Sequence, residues 1–176
     1  IAQSGQHQAD IRVFGGEDFP ALDMLFFAEA YARCLAENKN LDLRLTLVAD
    51  GLLPLRIAQW VGNHFDGVTL NLEGLQKIGD NETFESLIPP LVFNKARIFS
   101  ESPIDLTLRV CITQQTIQHM GEIGAWLTRN LIPKAVSFQT WFPPCESHAG
   151  YDQPDPLGFA RAFNQAAHML ESCGIL

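Results

Sequence analysis

Hydrophobic and polar residues alternate one by one in five short runs along this chain. Between the runs the apolar spacing stretches to three or four residues. The second run is the plainest: Leu41, Leu43, Leu45 and Leu47 alternate with Asp42, Arg44, Thr46 and Val48. Similar runs fall at 9–14, 68–74, 105–113 and 135–142. A period of two is the signature of a strand with unlike faces, and a period of 3.6 that of an amphipathic helix. Helices are therefore predicted over 19–38, from Pro54 onward, over 82–101 with a break at Pro89-Pro90, around Met120–Leu127, and from Asp155 to the end. Their expected buried faces are Leu22, Leu25, Phe26, Ala30, Cys34 and Leu35 in the first, and Ile57, Trp60, Val61 and His64 in the second. In the fourth they are Met120, Ile123 and Leu127, and in the last Phe159, Phe163, Ala167 and Leu170. Asp155-Pro156 reads as N-cap and first turn, and Gly174 as the closing residue.

The order is (βα)₅ in a single domain over residues 1–176, with no linker and no low-complexity segment. Repeated βα units imply parallel strands joined by right-handed crossovers. Strands covered on both faces normally read as continuous apolar runs, whereas here only one face is aliphatic. The other carries Arg44, Thr46, Asn71, Glu73, Thr107, Arg109, Thr113, Ser137 and Gln139. Burying such groups without partners is costly, so this face is expected to line a wet or ligand-filled cavity. The plainer alternative is a sheet with one solvated face.

Composition narrows the classes. With 47% apolar and 18% charged residues, the chain has the balance of an ordinary globular domain. No apolar run is long enough to span a bilayer, and no basic leader precedes the first strand, so a cytoplasmic protein without membrane contact is expected. A net charge of −8 argues against nucleic acid as a partner. The cysteines at 34, 111, 145 and 173 show no metal-binding spacing, and the five histidines form no HxxxH or HxH pair. No metal ligand is assigned, and the thiols read as reduced and structural.

The chemistry-bearing positions sit where strands end. Gly15-Gly16-Glu17 follows the first strand, Ala49-Asp50-Gly51 the second and Asn71-Leu72-Glu73-Gly74 the third, while Leu108-Arg109-Val110 lies in the fourth. This succession resembles the radical S-adenosylmethionine (radical SAM) core, a partial TIM-type barrel of six βα units. The chain would supply units two to six of that (βα)₆ core. The likeness is nearest to the peptide- and protein-modifying branch, the sulfatase maturases and ribosomal-peptide maturases. It implies S-adenosylmethionine and a [4Fe–4S] cluster as cofactors. It also implies a 5′-deoxyadenosyl radical as the oxidant and a peptide or protein as substrate. By the resemblance Gly15, Gly16 and Glu17 meet the amino group of the cofactor's methionine. Asn71 hydrogen-bonds the cofactor, Arg109 holds the methionine carboxylate, and Gln139 to Phe142, Trp141 included, lie near the adenine. Asp50 and Glu73 occupy the positions of the ribose and substrate contacts, where the family usually has Thr-Asn-Gly and Asp-Gly. No catalytic residue is assigned.

The family's CxxxCxxC motif is absent from the sequence. The chain begins at Ile1, and the expectation is a fragment whose cluster ligands lie upstream, outside this chain. A first strand without an outer neighbour would favour self-association. Other classes share some of these residues. A barrel-derived, non-catalytic module binding a peptide or small molecule would share the polar cavity. A GGDEF-type cyclase places its glycines on a hairpin, whereas Pro20 and a helical pattern follow here. A receiver domain with Asp50 as phosphoacceptor would need an acidic pair at the end of the first strand and a lysine at the end of the fifth, where this chain has Val13-Phe14 and Trp141-Phe142.

Overall fold

The computed structural model describes residues 7–15, 22–72, 88–140, 154–172 and 174–175. Within them strands and helices alternate as β1 (Gln8–Gly15), α1 (Leu22–Lys39), β2 (Asp42–Ala49), α2 (Leu55–His64) and β3 (Gly67–Leu72). The series continues with α3 (Pro90–Ser100), β4 (Asp105–Ile112), α4 (Met120–Asn130), β5 (Ala135–Thr140) and α5 (Pro156–Ser172). A 3-10 turn at Ile117–His119 leads into α4. Each strand pairs in parallel with the next along the chain, giving one sheet in the order β1-β2-β3-β4-β5. A doubly wound sheet reverses its order at a switch point and carries helices on both faces. This order never reverses, and only one sheet face is packed with aliphatic side chains. The architecture is α/β, a partial TIM-type barrel with helices outside and the polar face inside.

The register lays the aliphatic positions of neighbouring strands side by side. Leu47 pairs with Val68, Leu70 with Leu108, and Leu72 with Val110. Leu47, Leu70, Leu108, Val110 and Ile112 are all 0% exposed, and each buried aliphatic side chain contributes about 1.5–3 kcal/mol. The helices cover this face through Leu25, Ile57, Val61, Phe99, Ile123, Leu127 and Leu170.

Strand positions agree with the alternation, but three helix faces are rotated from the expected ones. On α1, Leu25 and Ala36 are buried, Ala32 packs against the core, and Ala30, Cys34 and Leu35 face outward. That helix is apolar almost all round, so periodicity does not single out a face. On α2 the buried face is Ile57, Ala58, Val61 and Gly62. A Cβ at Gly62 would lie 2.6 Å from Ser102 Oγ. His64 is exposed and stacks on half-buried Trp60 at 4.5 Å. On α5 the buried residues are Ala166 and Leu170, with Phe163 41% exposed. There Leu170 closes against Gly124 of α4, and close helix approach selects small residues over Phe163. Residues 82–87, expected to be helical, lie outside the described residues.

Caps are where the sequence placed them. Asp155 Oδ2 accepts the Gly158 N–H at 2.7 Å, and Pro156 is the first residue of α5. Gly174 (φ +77°) ends that segment, with the Ile175 N–H reaching the Leu170 carbonyl at 3.1 Å.

Two glycines in left-handed conformations separate backbone strain from crowding. Gly51 has φ +80° and a Cβ there would sit 2.8 Å from Val92 Cγ1, whereas around Gly174 nothing lies within 4 Å. Gly174→Ala should cost only the left-handed backbone penalty, about 1–2 kcal/mol. Gly51→Ala adds overpacking of about 1–3 kcal/mol and should be the more damaging of the two in urea denaturation. Equal losses would contradict the packing of the β2–α2 turn against α3.

Candidate functional site

The inward face is built from the positions alternate to the aliphatic ones. Its amino-terminal end is electrostatically settled. Asp105 Oδ2 accepts both Arg44 Nη2 and Lys134 Nζ at 2.7 Å. Arg44 therefore lies on the expected face but at the wrong end for a site, and its charge is taken.

Further along the strands the register places Asn71 opposite Arg109, and Arg109 opposite Ser137. One step beyond, Cys111 pairs with Gln139, whose Nε2 approaches Cys111 Sγ at 3.5 Å. Asn71 Oδ1 is buried and has no hydrogen-bond partner among the described residues. Such an orphaned group ordinarily costs about 1–3 kcal/mol. Arg109 is half-buried and, among the described residues, forms no hydrogen bond or ion pair. An unmatched acceptor and an unmatched guanidinium thus sit on adjacent strands of one floor. Arginine presents a planar fork suited to a carboxylate, and an amide oxygen suits an N–H or O–H donor. A small zwitterion satisfies both.

The remaining predicted residues divide. Gly15 ends β1 and is registered opposite Ala49, which ends β2 and is itself opposite Leu70. Gly15, Asp50 and Asn71 therefore share the carboxyl end of the sheet, the side on which βα barrels build their sites. Asp50 is partly committed, since its Oδ1 accepts the Leu52 N–H at 3.0 Å and shapes its own turn. Thr113 departs from expectation. It is 1% exposed, just past β4, and its N–H donates to Thr116 Oγ1 at 2.9 Å. It forms the turn into α4 rather than the floor, because the strand pairing stops at Ile112. Gly16, Glu17, Glu73 and Trp141 lie outside the described residues, as do Phe142, Cys145 and Cys173.

Sequence reasoning did not single out Phe14, Thr69 and Cys111 as parts of this floor. Phe14, Val48, Thr69, Thr107 and Ala135 form one registered row across all five strands. Phe14 is 69% exposed there, an aromatic surface beside polar groups. Its parity with Arg12 was the available signal. Among the described residues no three His, Cys, Asp or Glu side chains are grouped to hold a metal. The described thiols are Cys34, exposed on α1, and Cys111. An apolar groove of about 590 Å³ lies on the helix-bearing side, between β1 and α1, away from this floor.

No family model and no curated protein sequence matches the chain. Among solved structures the fold is shared with a crystal structure of a domain of pyruvate-formate lyase-activating enzyme from Bacteroides vulgatus. The TM-score is 0.59, each chain covers 94% of the other, and sequence identity is 14%. What is shared is the fold. The side chains that define the chemistry must be read from this chain alone.

If Asn71 Oδ1 is held unsatisfied for a ligand, removing it should not harm the ligand-free protein. Asn71→Val is expected to leave stability unchanged or raise it by about 1 kcal/mol in urea denaturation, while Leu70→Ala next to it loses about 2–5 kcal/mol. A loss above about 1 kcal/mol in Asn71→Val would show that Asn71 is structurally satisfied.

Proposed function

We propose that this chain forms the S-adenosylmethionine-binding wall of a radical SAM enzyme. The observation that carries the reading is the unpaired Arg109 beside the orphaned Asn71 Oδ1 on the inward face. The shared fold supports it, since one matching solved structure is a domain of an activating enzyme of the radical SAM class.

In this reading the guanidinium of Arg109 receives the methionine carboxylate in a forked, charge-assisted contact. Asn71 Oδ1 accepts an N–H or O–H of the same ligand, which relieves its buried acceptor. Gly15 leaves the end of β1 open to close backbone approach. By the resemblance, Glu17 faces the ammonium. Gln139 stands one residue row past Arg109, on the adenine side. When bound to a [4Fe–4S] cluster, S-adenosylmethionine supplies radical chemistry, and the protein's part is orientation and exclusion of water. The cluster does not fit the residues of this chain. The four cysteines have no CxxxCxxC spacing, so its thiolates would come from outside the 176 residues. The substrate we propose is a peptide or protein segment, and the name of that structural neighbour makes it an activator of another enzyme. No helix among the described residues is long and apolar enough to cross a membrane.

NMR titration of the isolated chain with millimolar S-adenosylmethionine reads this directly, because it detects weak binding without the cluster. Amide shifts should centre on Gly15, Asn71, Arg109 and Gln139. Arg109→Ala should weaken the dissociation constant roughly tenfold or more, as each ~1.4 kcal/mol is a factor of ten. Arg109→Lys should recover only part, because the fork is lost. Unchanged affinity in Arg109→Ala would refute the assignment.

A further inference from the structure

We propose that the first turns of α2 and α3, with the buried Lys95 side chain aimed at them, form a binding site for an oxyanion, the phosphate or carboxylate group of a small molecule. The residue that calls for a ligand is Lys95. It is 6% exposed and lies on the core side of α3 with Val92, Ala96 and Phe99. Among the described residues its amine has no hydrogen bond or ion pair. Lysine is almost never buried unless it is paired, because taking a charge out of water without a counter-charge is costly.

Helix geometry aims that side chain. Side chains on a helix lean toward its amino terminus, over the residues three and four positions earlier. For Lys95 these are Val92 and Leu91, both in the first turn of α3. Val92 packs on Gly51, where a Cβ would lie 2.8 Å from Val92 Cγ1. The amine is thus directed to the seam between the start of α3 and the turn that opens α2. Both helix starts are bare. Their N-caps are Pro54 and Pro89, neither makes a side-chain cap, and neither first turn holds an acid. The first bonds run from the Ile57 N–H to the Pro54 carbonyl and from the Val92 N–H to the Pro89 carbonyl. The Leu55, Arg56 and Leu91 N–H groups therefore have no backbone acceptor among the described residues. Free N–H groups at helix amino termini favour anions. Arg56 adds an exposed guanidinium with no ion pair among the described residues. Asp50, the acid of the adjoining turn, accepts the Leu52 N–H. Exposed Leu52, Leu55 and Leu91 border these donors, which suits an anionic group carried on an apolar body.

The site lies in the helix layer, whereas Arg109 and Asn71 lie on the inward face, so the inference stands apart from the cofactor reading. NMR titration of the 176-residue chain with inorganic phosphate, and separately with acetate, tests it at an ionic strength held by sodium chloride. The amides of Leu55, Arg56 and Leu91 should shift and saturate. Saturation with phosphate alone assigns a phosphate group and saturation with acetate alone a carboxylate, and either supports the site. Lys95→Met should weaken binding roughly tenfold or more, since a charge-assisted contact is lost. Its melting temperature should stay the same or rise, because an apolar side chain of similar length replaces an unpaired buried cation. Arg56→Ala, an exposed substitution, should weaken binding independently, and Arg109→Ala should leave it unchanged. No saturable shift with either anion would overturn the proposal, as would unchanged affinity in Lys95→Met. A lower melting temperature in Lys95→Met would also overturn it, since the amine would then be paired within the protein. Shifts that vanish in Arg109→Ala would place the anion on the inward floor and overturn it as well.

Discussion

A parallel strand that is aliphatic on one side only commits its protein to a polar interior or a solvated face. Here that condition holds across the sheet, because the register puts Leu47, Val68 and Leu106 in one aliphatic row and Asn71, Arg109 and Ser137 in one polar row. Burial of the aliphatic side against the helices fixes which way every polar side chain points, since a one-residue slip would exchange the two faces. The inward polar floor is thus a consequence of the same packing that stabilises the fold. Its two ends then differ. At the amino-terminal end Asp105 neutralises Arg44 and Lys134. Toward the carboxyl end Asn71 Oδ1 has no partner among the described residues, a local cost of the kind that functional sites retain.

Much of this was legible in the sequence, and the reasons differ by element. Strand positions followed from a period of two with a single aliphatic face, a pattern that tolerates little ambiguity over six to eight residues. The face carrying Asn71 and Arg109 followed from the same parity. Their adjacency did not, because register across separate strands is settled by the crossover helices and not by local pattern. Helix faces were less legible. Phe26, Phe27, Ala28, Ala30 and Tyr31 make α1 apolar in most directions, so periodicity does not select its buried Leu25 and Ala36. Close approach turned α2 toward Gly62 and α5 toward Ala166. Thr113 looked like a floor residue because the alternation runs one position past the last strand pairing, whereas the Asp50-Gly51 pair carried a turn signal that its bond to the Leu52 N–H bears out.

The fold is also the limit of what likeness to another structure carries. At 14% identity the shared arc of βα units says where a site is built, at the carboxyl ends of the strands, and not what it does. What the site does has to come from its side chains. A half-buried arginine with no counter-ion among the described residues and a neighbouring buried acceptor describe a ligand that is anionic at one point and a hydrogen-bond donor close by. An amino-acid moiety meets that description, and in the radical SAM reading it is the methionine end of the cofactor.

The central claim is that Arg109 and Asn71 are kept unpaired for a ligand and not for each other or for another protein group. A crystal structure of the chain grown with S-adenosylmethionine tests that most directly. The account predicts the methionine carboxylate in forked contact with the Arg109 guanidinium, with Asn71 Oδ1 accepting a hydrogen bond from the same molecule. It would be contradicted by an Arg109 bound to a carboxylate of the protein itself, with the ligand elsewhere or absent.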